Sequence, residues 1–233
     1  MLLKSKISEH QLSLDPLLNE KYQKARLGKF TASKISCCMG ATKIPDGGIT
    51  YIRTRIGEEL TGVSSEKDVS TEEMEWGLTY ERDALQRFGE LKKLDYLLVQ
   101  RLVFEEGSKF GCTPDGIWVK SESIDKTSYE VSTVEVKCFQ VGNHIKCALC
   151  ATPEEIREKD SSTYWQVIMQ MDECGALTGF LCYFHPLMKF GGFRVIEFRK
   201  INLIADFKLF QERKAQILKI YEEQKQILLN IKN

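Results

Sequence analysis

The sequence predicts an α/β domain with a mixed central β-sheet flanked by helices. Apolar residues recur at helical spacing in the first ninety or so positions and again at the C-terminus, and β-branched or aromatic runs of strand length fill the middle. The order is helices, three strands, one or two helices, two strands and a last helix, the pattern of a sheet with helices packed on it. At 233 residues the chain suits a single domain, 1–233. Within it we expect an N-terminal helical part over 1–95, a sheet core over 96–200 and a C-terminal helix over 203–233.

Taken in order, residues 16–40 read as helical with a break near Gly28, and Thr31-Ala-Ser33 opens a second helical stretch that Gly40 ends. Residues 41–48 carry Pro45-Asp-Gly-Gly48 and read as a loop. Residues 49–60 read as a helix closed by Gly62, 63–68 as a polar loop, and 70–91 as a long helix with Met74, Trp76, Leu78, Ala84, Leu85 and Phe88 among its apolar positions. Strands are expected over 96–104, over 110–120 with a break at Pro114, over 129–139, 178–184 and 192–199. Thr152-Pro-Glu-Glu155 has the proline and capping acid of a helix start, and 161–174 reads as a further helix. The C-terminal helix could pack on the domain through Ile204, Phe207, Phe210, Ile217 and Tyr221, or form a coil between subunits.

A hydrophobic content of 42 % with 28 % charged residues supports a sizeable core without disulfides. No apolar run reaches membrane-spanning length, and Met1-Leu-Leu-Lys-Ser-Lys lacks the apolar stretch of a signal peptide. A cytoplasmic location is therefore expected, with no membrane partner and with the eight cysteines as reduced thiols. The formal net charge of zero argues against a tight non-specific grip on nucleic acid by charge alone. It leaves open a locally basic cleft, or a chain that encircles its ligand.

The densest chemistry lies in Phe110-Gly-Cys-Thr-Pro-Asp-Gly116 and Val134-Glu-Val-Lys-Cys138. Asp115 sits at a Pro/Gly break where a carboxylate can be aimed out of a sheet. Glu135 and Lys137 are two apart in a β-branched run and so share a face. Two acids and an amine converging at a sheet edge are what a metal-dependent nuclease needs, and hard oxygen ligands favour Mg²⁺ or Mn²⁺. Lys137 could hold the attacking water. Taken alone, however, Asp-Gly is a common turn and Glu-x-Lys a common solvated pair.

Other segments could complete such a site. Glu81, in Glu75-Trp-Gly-Leu-Thr-Tyr-Glu81, places an acid on the long helix, where it is either a surface residue or a further ligand. Thr31 and Ser33 sit at an expected helix N-terminus near Arg26, a credible phosphate pocket. Simple capping beside a surface arginine is the alternative. Gln166 and Gln170 lie one turn apart on an otherwise apolar helix and need partners if buried.

Together these blocks resemble the phage lambda exonuclease, or YqaJ-like viral recombinase, family. The matching order is Arg26-Leu-Gly with Thr31-Ala-Ser33, Trp76-Gly with Tyr80-Glu81, Thr113-Pro-Asp115-Gly, Glu135-Val-Lys137-Cys and Gln166-Val, spread over about residues 20–200. The resemblance implies a PD-(D/E)XK, restriction-endonuclease-like core and Mg²⁺-dependent 5′→3′ exonuclease action on linear double-stranded DNA. It implies release of 5′-mononucleotides and a 3′ single-stranded tail, in a phage or bacterial host setting. Asp115, Glu135 and the carbonyl of Val136 would bind two Mg²⁺ ions, with Mn²⁺ able to substitute. Lys137 would orient the nucleophile and Glu81 would assist through a water or as a ligand. Arg26, Ser33 and Gln166 would contact the 5′-phosphate or its surroundings, with Thr31 beside them. A homotrimeric ring around DNA ends and a single-strand annealing protein as partner are further implications.

This chain departs from the family at several points. Tyr22 stands where a tryptophan is expected near the phosphate pocket, Met74 where a leucine wedges the duplex end, and Ile168 where a second glutamine is expected. An endonuclease of restriction or repair type, and a non-catalytic DNA-end or partner-binding module, are the competing readings. His144-x₂-Cys147-x₂-Cys150, near Cys138 or Cys174, invites a zinc reading. Only one Cys-x₂-Cys is present, so reduced thiols are the favoured assignment.

Overall fold

A computed structural model describes residues 7–11, 16–65, 71–94, 98–99, 101–121 and 129–231. The chain opens with β1 (Ile7–Gln11) and α1 (Pro16–Arg26), passes through β2 (Phe30–Thr31) into a 3₁₀ helix (Ala32–Cys38), and continues as α2 (Asp46–Thr61) and α3 (Glu72–Lys92). Then come β3 (Leu98–Val99), β4 (Arg101–Val103), β5 (Phe110–Gly111), β6 (Gly116–Ser121) and β7 (Tyr129–Lys137). After α4 (Val141–Ala148), α5 (Pro153–Lys159) and α6 (Ser161–Cys174), the strands β8 (Thr178–Phe184) and β9 (Phe193–Arg199) lead to α7 (Ile204–Leu229).

The central sheet runs β3-β6-β7-β8-β9, with β7 and β8 parallel and every other pairing antiparallel. It is the mixed α/β sheet that the sequence predicts. A parallel pair needs a crossover, supplied here by α4, α5 and α6. The two faces of β7 part company. Val131 joins a core built on α6, α2 and α7, whereas Val134 and Val136 join a second core with Ala84, Leu85 and Phe88 of α3. Glu135 and Lys137 therefore face α6. Gly179 on β8 lets that helix approach, since a β-carbon there would sit 2.7 Å from Met171 Sδ.

The helix start expected at Thr152 is formed: its side chain accepts from Glu155 N–H at 3.4 Å, while Glu155 Oε2 reaches past the N-cap residue to accept from Ala151 N–H at 2.6 Å, a variant of the capping box. α7 packs on the domain through Phe207, Phe210, Ile217 and Tyr221, although Ile204 is exposed.

Several elements differ from expectation. Phe30–Thr31 is a short strand parallel to β5, and the helix after it is 3₁₀ rather than α. α2 begins at Asp46, inside the expected loop. Its Gly48 is a packing residue, because a β-carbon would lie 2.8 Å from the Cys37 carbonyl. The strand expected over 96–104 is split, with β3 on the central sheet and β4 paired to the unanticipated β1. The break at Pro114 sends β5 and β6 to different sheets. Helix α4 was not expected, although Val141, Ile145 and the capping Leu149 recur at helical spacing; that stripe is exposed while His144 and Cys147 turn inward. Part of the loop expected over 63–68 lies outside the described residues. No described helix is long and apolar enough to cross a membrane.

Candidate active site

The floor of the site is β7 seen from α6. Glu135 is buried, and its carboxylate is gripped at both oxygens. Lys137 Nζ and Gln166 Nε2 each donate to Oε1 at 2.6 Å, and Gln170 Nε2 donates to Oε2 at 2.6 Å. Lys137 Nζ also donates to Gln166 Oε1 at 3.1 Å, which closes a ring of three side chains. Strand periodicity places the acid and the amine on one face, and helical spacing brings Gln166 and Gln170 over them.

Asp115 enters from the neighbouring strand. It immediately precedes β6, whose first residue pairs with Val134, and its Oδ2 accepts from Val136 N–H at 2.7 Å. The Pro114 break thus aims this carboxylate at the end of β7. Glu81 approaches from α3. A single cavity of about 180 Å³ is lined by Asp115, Glu81, Gln166 and Gln170 on one side and by Tyr22, Arg26, Thr31 and Ser33 on the other.

The rim of that cavity is tied to the same framework. Tyr22 Oη and Thr113 Oγ1 share a hydrogen bond at 2.9 Å, and the Arg26 guanidinium lies 5.4 Å from the centre of the Tyr22 ring. Thr113 and Asp115 are two residues apart, so one short segment fixes both the arginine and the acid. Gly28 turns the chain at φ +70°, and its N–H donates to Glu58 Oε2 at 3.0 Å. Thr31 N–H donates to Tyr51 Oη at 2.9 Å. The buried α2 residues Arg55 and Glu58, paired at 3.0 Å, therefore brace the strand that carries Thr31.

The electrostatics suit a cation. Burial, and then the negative charges of Glu135 and Glu81, push the Asp115 carboxyl well above the ordinary carboxylate range, while Lys137 and the Val136 N–H oppose this only in part. Burial alone would lower the Lys137 ammonium, but Glu135 and Asp115 outweigh it and hold the amine above its usual value.

Among the described residues no three His, Cys, Asp or Glu side chains group closely enough to hold a metal ion alone. Asp115, Glu135 and the Val136 carbonyl nevertheless fit a small hard ion whose shell is completed by water and substrate oxygens, the usual habit of Mg²⁺. A carboxylate has about four acceptor positions, and the three donors on Glu135 leave one.

Every sequence-predicted site residue except Met74 therefore borders the cavity or its floor. Met74 is 55 % exposed at the start of α3, seven residues before Glu81 and hence on the same helix face, about 10 Å further along. Three roles shift. Thr31 makes no capping bond and the helix it opens is a short 3₁₀ turn, so the rim works through Arg26 and hydroxyls rather than a helix dipole. Tyr22 is 2 % exposed, and its ring supports Arg26 instead of standing open for stacking. Gln170, of which the sequence says little, contacts Glu135 directly. Its one-turn spacing from Gln166 was the available signal. Tyr51, Glu58 and Thr113 gave none. Of the zinc candidates, His144 Nε2 bonds to the Gly191 carbonyl at 2.9 Å, and Cys147 and Cys150 are buried free thiols.

The fold is a mixed α/β sheet with helices packed on it, carrying an acid–amine cluster on its strand β7. The sequence matches the YqaJ-like viral recombinase domain over residues 21–177, more than half of the chain, and the protein belongs to that family. No curated protein matches the sequence. Among solved structures, the fold is similar to that of an alkaline exonuclease (LHK-Exo) from Laribacter hongkongensis, with a TM-score of 0.68 and 21 % identity over 90 % of this chain and 95 % of that one. The same enzyme in complex with dAMP gives a TM-score of 0.69 at 21 % identity and the same coverage. A phage-related exonuclease from Haemophilus somnus 129PT gives 0.61 at 14 % identity, covering 86 % and 96 % of the two chains.

Proposed function

We propose that the protein is a divalent-cation-dependent 5′→3′ exonuclease acting on the ends of linear duplex DNA. It would release 5′-mononucleotides and leave a 3′ single-stranded tail for recombination. The observation that carries this reading is one cavity shared by the Asp115/Glu81 acids, the Gln166 and Gln170 amides that grip Glu135, and the Arg26/Ser33 rim. An acid cluster alone would serve any hydrolase of this fold. An arginine and hydroxyls a short reach away give it a socket for a terminal phosphate.

Mg²⁺, or Mn²⁺ in its place, would be held by Asp115, Glu135 and the Val136 carbonyl with Glu81 assisting; such ions activate water and neutralise charge on phosphoryl oxygens. Lys137 has three N–H donors and spends two on Glu135 and Gln166, so the third is available to orient the attacking water. Arg26 and Ser33 would seat the 5′-phosphate and set the position of the scissile bond. Tyr22 holds Arg26 in place, and Met74 on the outer turn of α3 would meet the duplex where it opens. The similar enzyme solved with dAMP accommodates a deoxynucleoside monophosphate, the product class expected here.

A homotrimeric ring would account for processive action by a chain of zero net charge, since topology replaces ionic grip and flattens the salt dependence. Light scattering should then report three copies, and a monomer at working concentration would remove the ring. A single-strand annealing protein is the expected partner.

The deciding experiment is Mg²⁺-dependent digestion of linear and covalently closed circular duplex carrying 5′ or 3′ end labels. Early release of the 5′ label from linear DNA, with circles intact, supports the proposal. Cleavage of circles would favour an endonuclease, and no turnover a non-catalytic end-binding module.

A further inference from the structure

Gln170 is 0 % exposed on a helix packed into the core, yet its amide is only half paired. Its Nε2 donates to Glu135 Oε2 at 2.6 Å, while its Oε1 is buried without a partner among the described residues and the side chain lines the cavity. The orientation is not arbitrary. An ionised carboxylate only accepts, so the amide nitrogen must face Glu135 and the carbonyl must point elsewhere. A leucine or methionine would fill this interior position without leaving a buried acceptor unsatisfied. Packing therefore does not explain a glutamine.

The grip on Glu135 explains the nitrogen. Lys137 and Gln166 both hold Oε1, which fixes a point but leaves the carboxylate able to swing about it. Among the described residues only the bond from Gln170 reaches Oε2, and a second point defines the plane. The amide oxygen is left buried without a partner, so the bond to Glu135 is the one interaction that accounts for a polar side chain at this position.

We propose that Gln170 is a positioning residue that locks the plane of the Glu135 carboxylate through its amide nitrogen. Its effect on catalysis rests on the nuclease reading above, whereas its effect on cation binding does not.

The test compares wild type with Gln170→Met, which keeps the length but can neither donate nor accept. Three readouts are needed: Mn²⁺ titration calorimetry without DNA, steady-state digestion of linear duplex, and thermal melting. Loss of a group that orients a ligand typically costs about 10- to 100-fold in metal affinity or activity. Mn²⁺ binding should weaken and kcat should fall by about that factor, with KM for duplex ends unchanged and the melting midpoint at or above that of wild type. Wild-type Mn²⁺ affinity and kcat in the variant would overturn the proposal, and so would a lowered midpoint with neither altered. Should Gln170→Met not fold, Gln170→Asn carries the same readouts, because its amide is one methylene too short to reach Glu135. If neither folds, the residue is structural and the proposal fails. A wild-type protein that digests no DNA would sink the nuclease reading, yet the Mn²⁺ titrations would still decide the role of Gln170.

Discussion

The floor and the rim of the cavity are built to different standards. On the floor, Glu135, Lys137, Gln166 and Gln170 are linked by four hydrogen bonds of 2.6 to 3.1 Å, on a central strand and a helix that packs closely on the sheet at Gly179. On the rim, Arg26 is half-buried at the last residue of α1 and rests on a tyrosine face, while Ser33 is exposed on a 3₁₀ turn. Under the proposed function, the groups that would act on one bond are locked by their neighbours, and those that would admit and release successive DNA ends are left with room to adjust.

This contrast can be broken by mutation. Glu135→Ala or Lys137→Ala strikes the floor and should cut digestion by more than about 10³-fold, because residues acting as a unit fail together. Circular dichroism should show the fold retained, and activity near wild type in either variant would refute the site. Arg26→Ala strikes the rim and should cost about 10- to 100-fold on a 5′-phosphorylated duplex, the worth of a charge-assisted contact. A 5′-hydroxyl duplex should be digested by this variant at the wild-type rate, and equal losses on both ends would remove the phosphate socket.

Tyr22→Phe severs the link to Thr113 while keeping the ring under Arg26. It should lower stability by about 1 kcal/mol and reduce the preference for phosphorylated ends several-fold, read from melting and paired-substrate assays. The mildest probe needs no mutation. Cys37 beside the rim is partly exposed, and its thiol is lowered chiefly by a hydrogen bond with Cys38. Burial pushes Cys138, behind the floor, up to about 12. Brief iodoacetamide treatment near pH 8 should label Cys37 and spare Cys138, as mass spectrometry would show.

Most of the floor was legible in the sequence, because strand alternation and helix spacing are local rules. Asp115 at a proline break, Glu135 and Lys137 two apart, and Gln166 on an apolar helix each carry their geometry with them. Helix α7 and the helix start at Thr152 were legible for the same reason. What sequence could not supply was the bracing between distant segments. Glu58 reaches Gly28, Tyr51 reaches Thr31, and Thr113 reaches Tyr22 across separations that no periodicity encodes. Short pieces were also hidden. Strands β2 and β5 have two residues each and exist only because they pair with one another. Helix α4, by contrast, carries helical spacing at Val141 and Ile145, and at eight residues it is hidden by its brevity rather than for want of a pattern.

The parallel pairing of β7 with β8 has a consequence for how the protein is made. Glu135 and Lys137 leave the ribosome well before Gln166 and Gln170, and the intervening crossover must close before the two halves meet. Non-local closures of this kind are the slow, late events of folding. A partly synthesised chain thus carries the acids and the amine without the amides that orient them, and the candidate site is assembled only once β8 can add to the sheet.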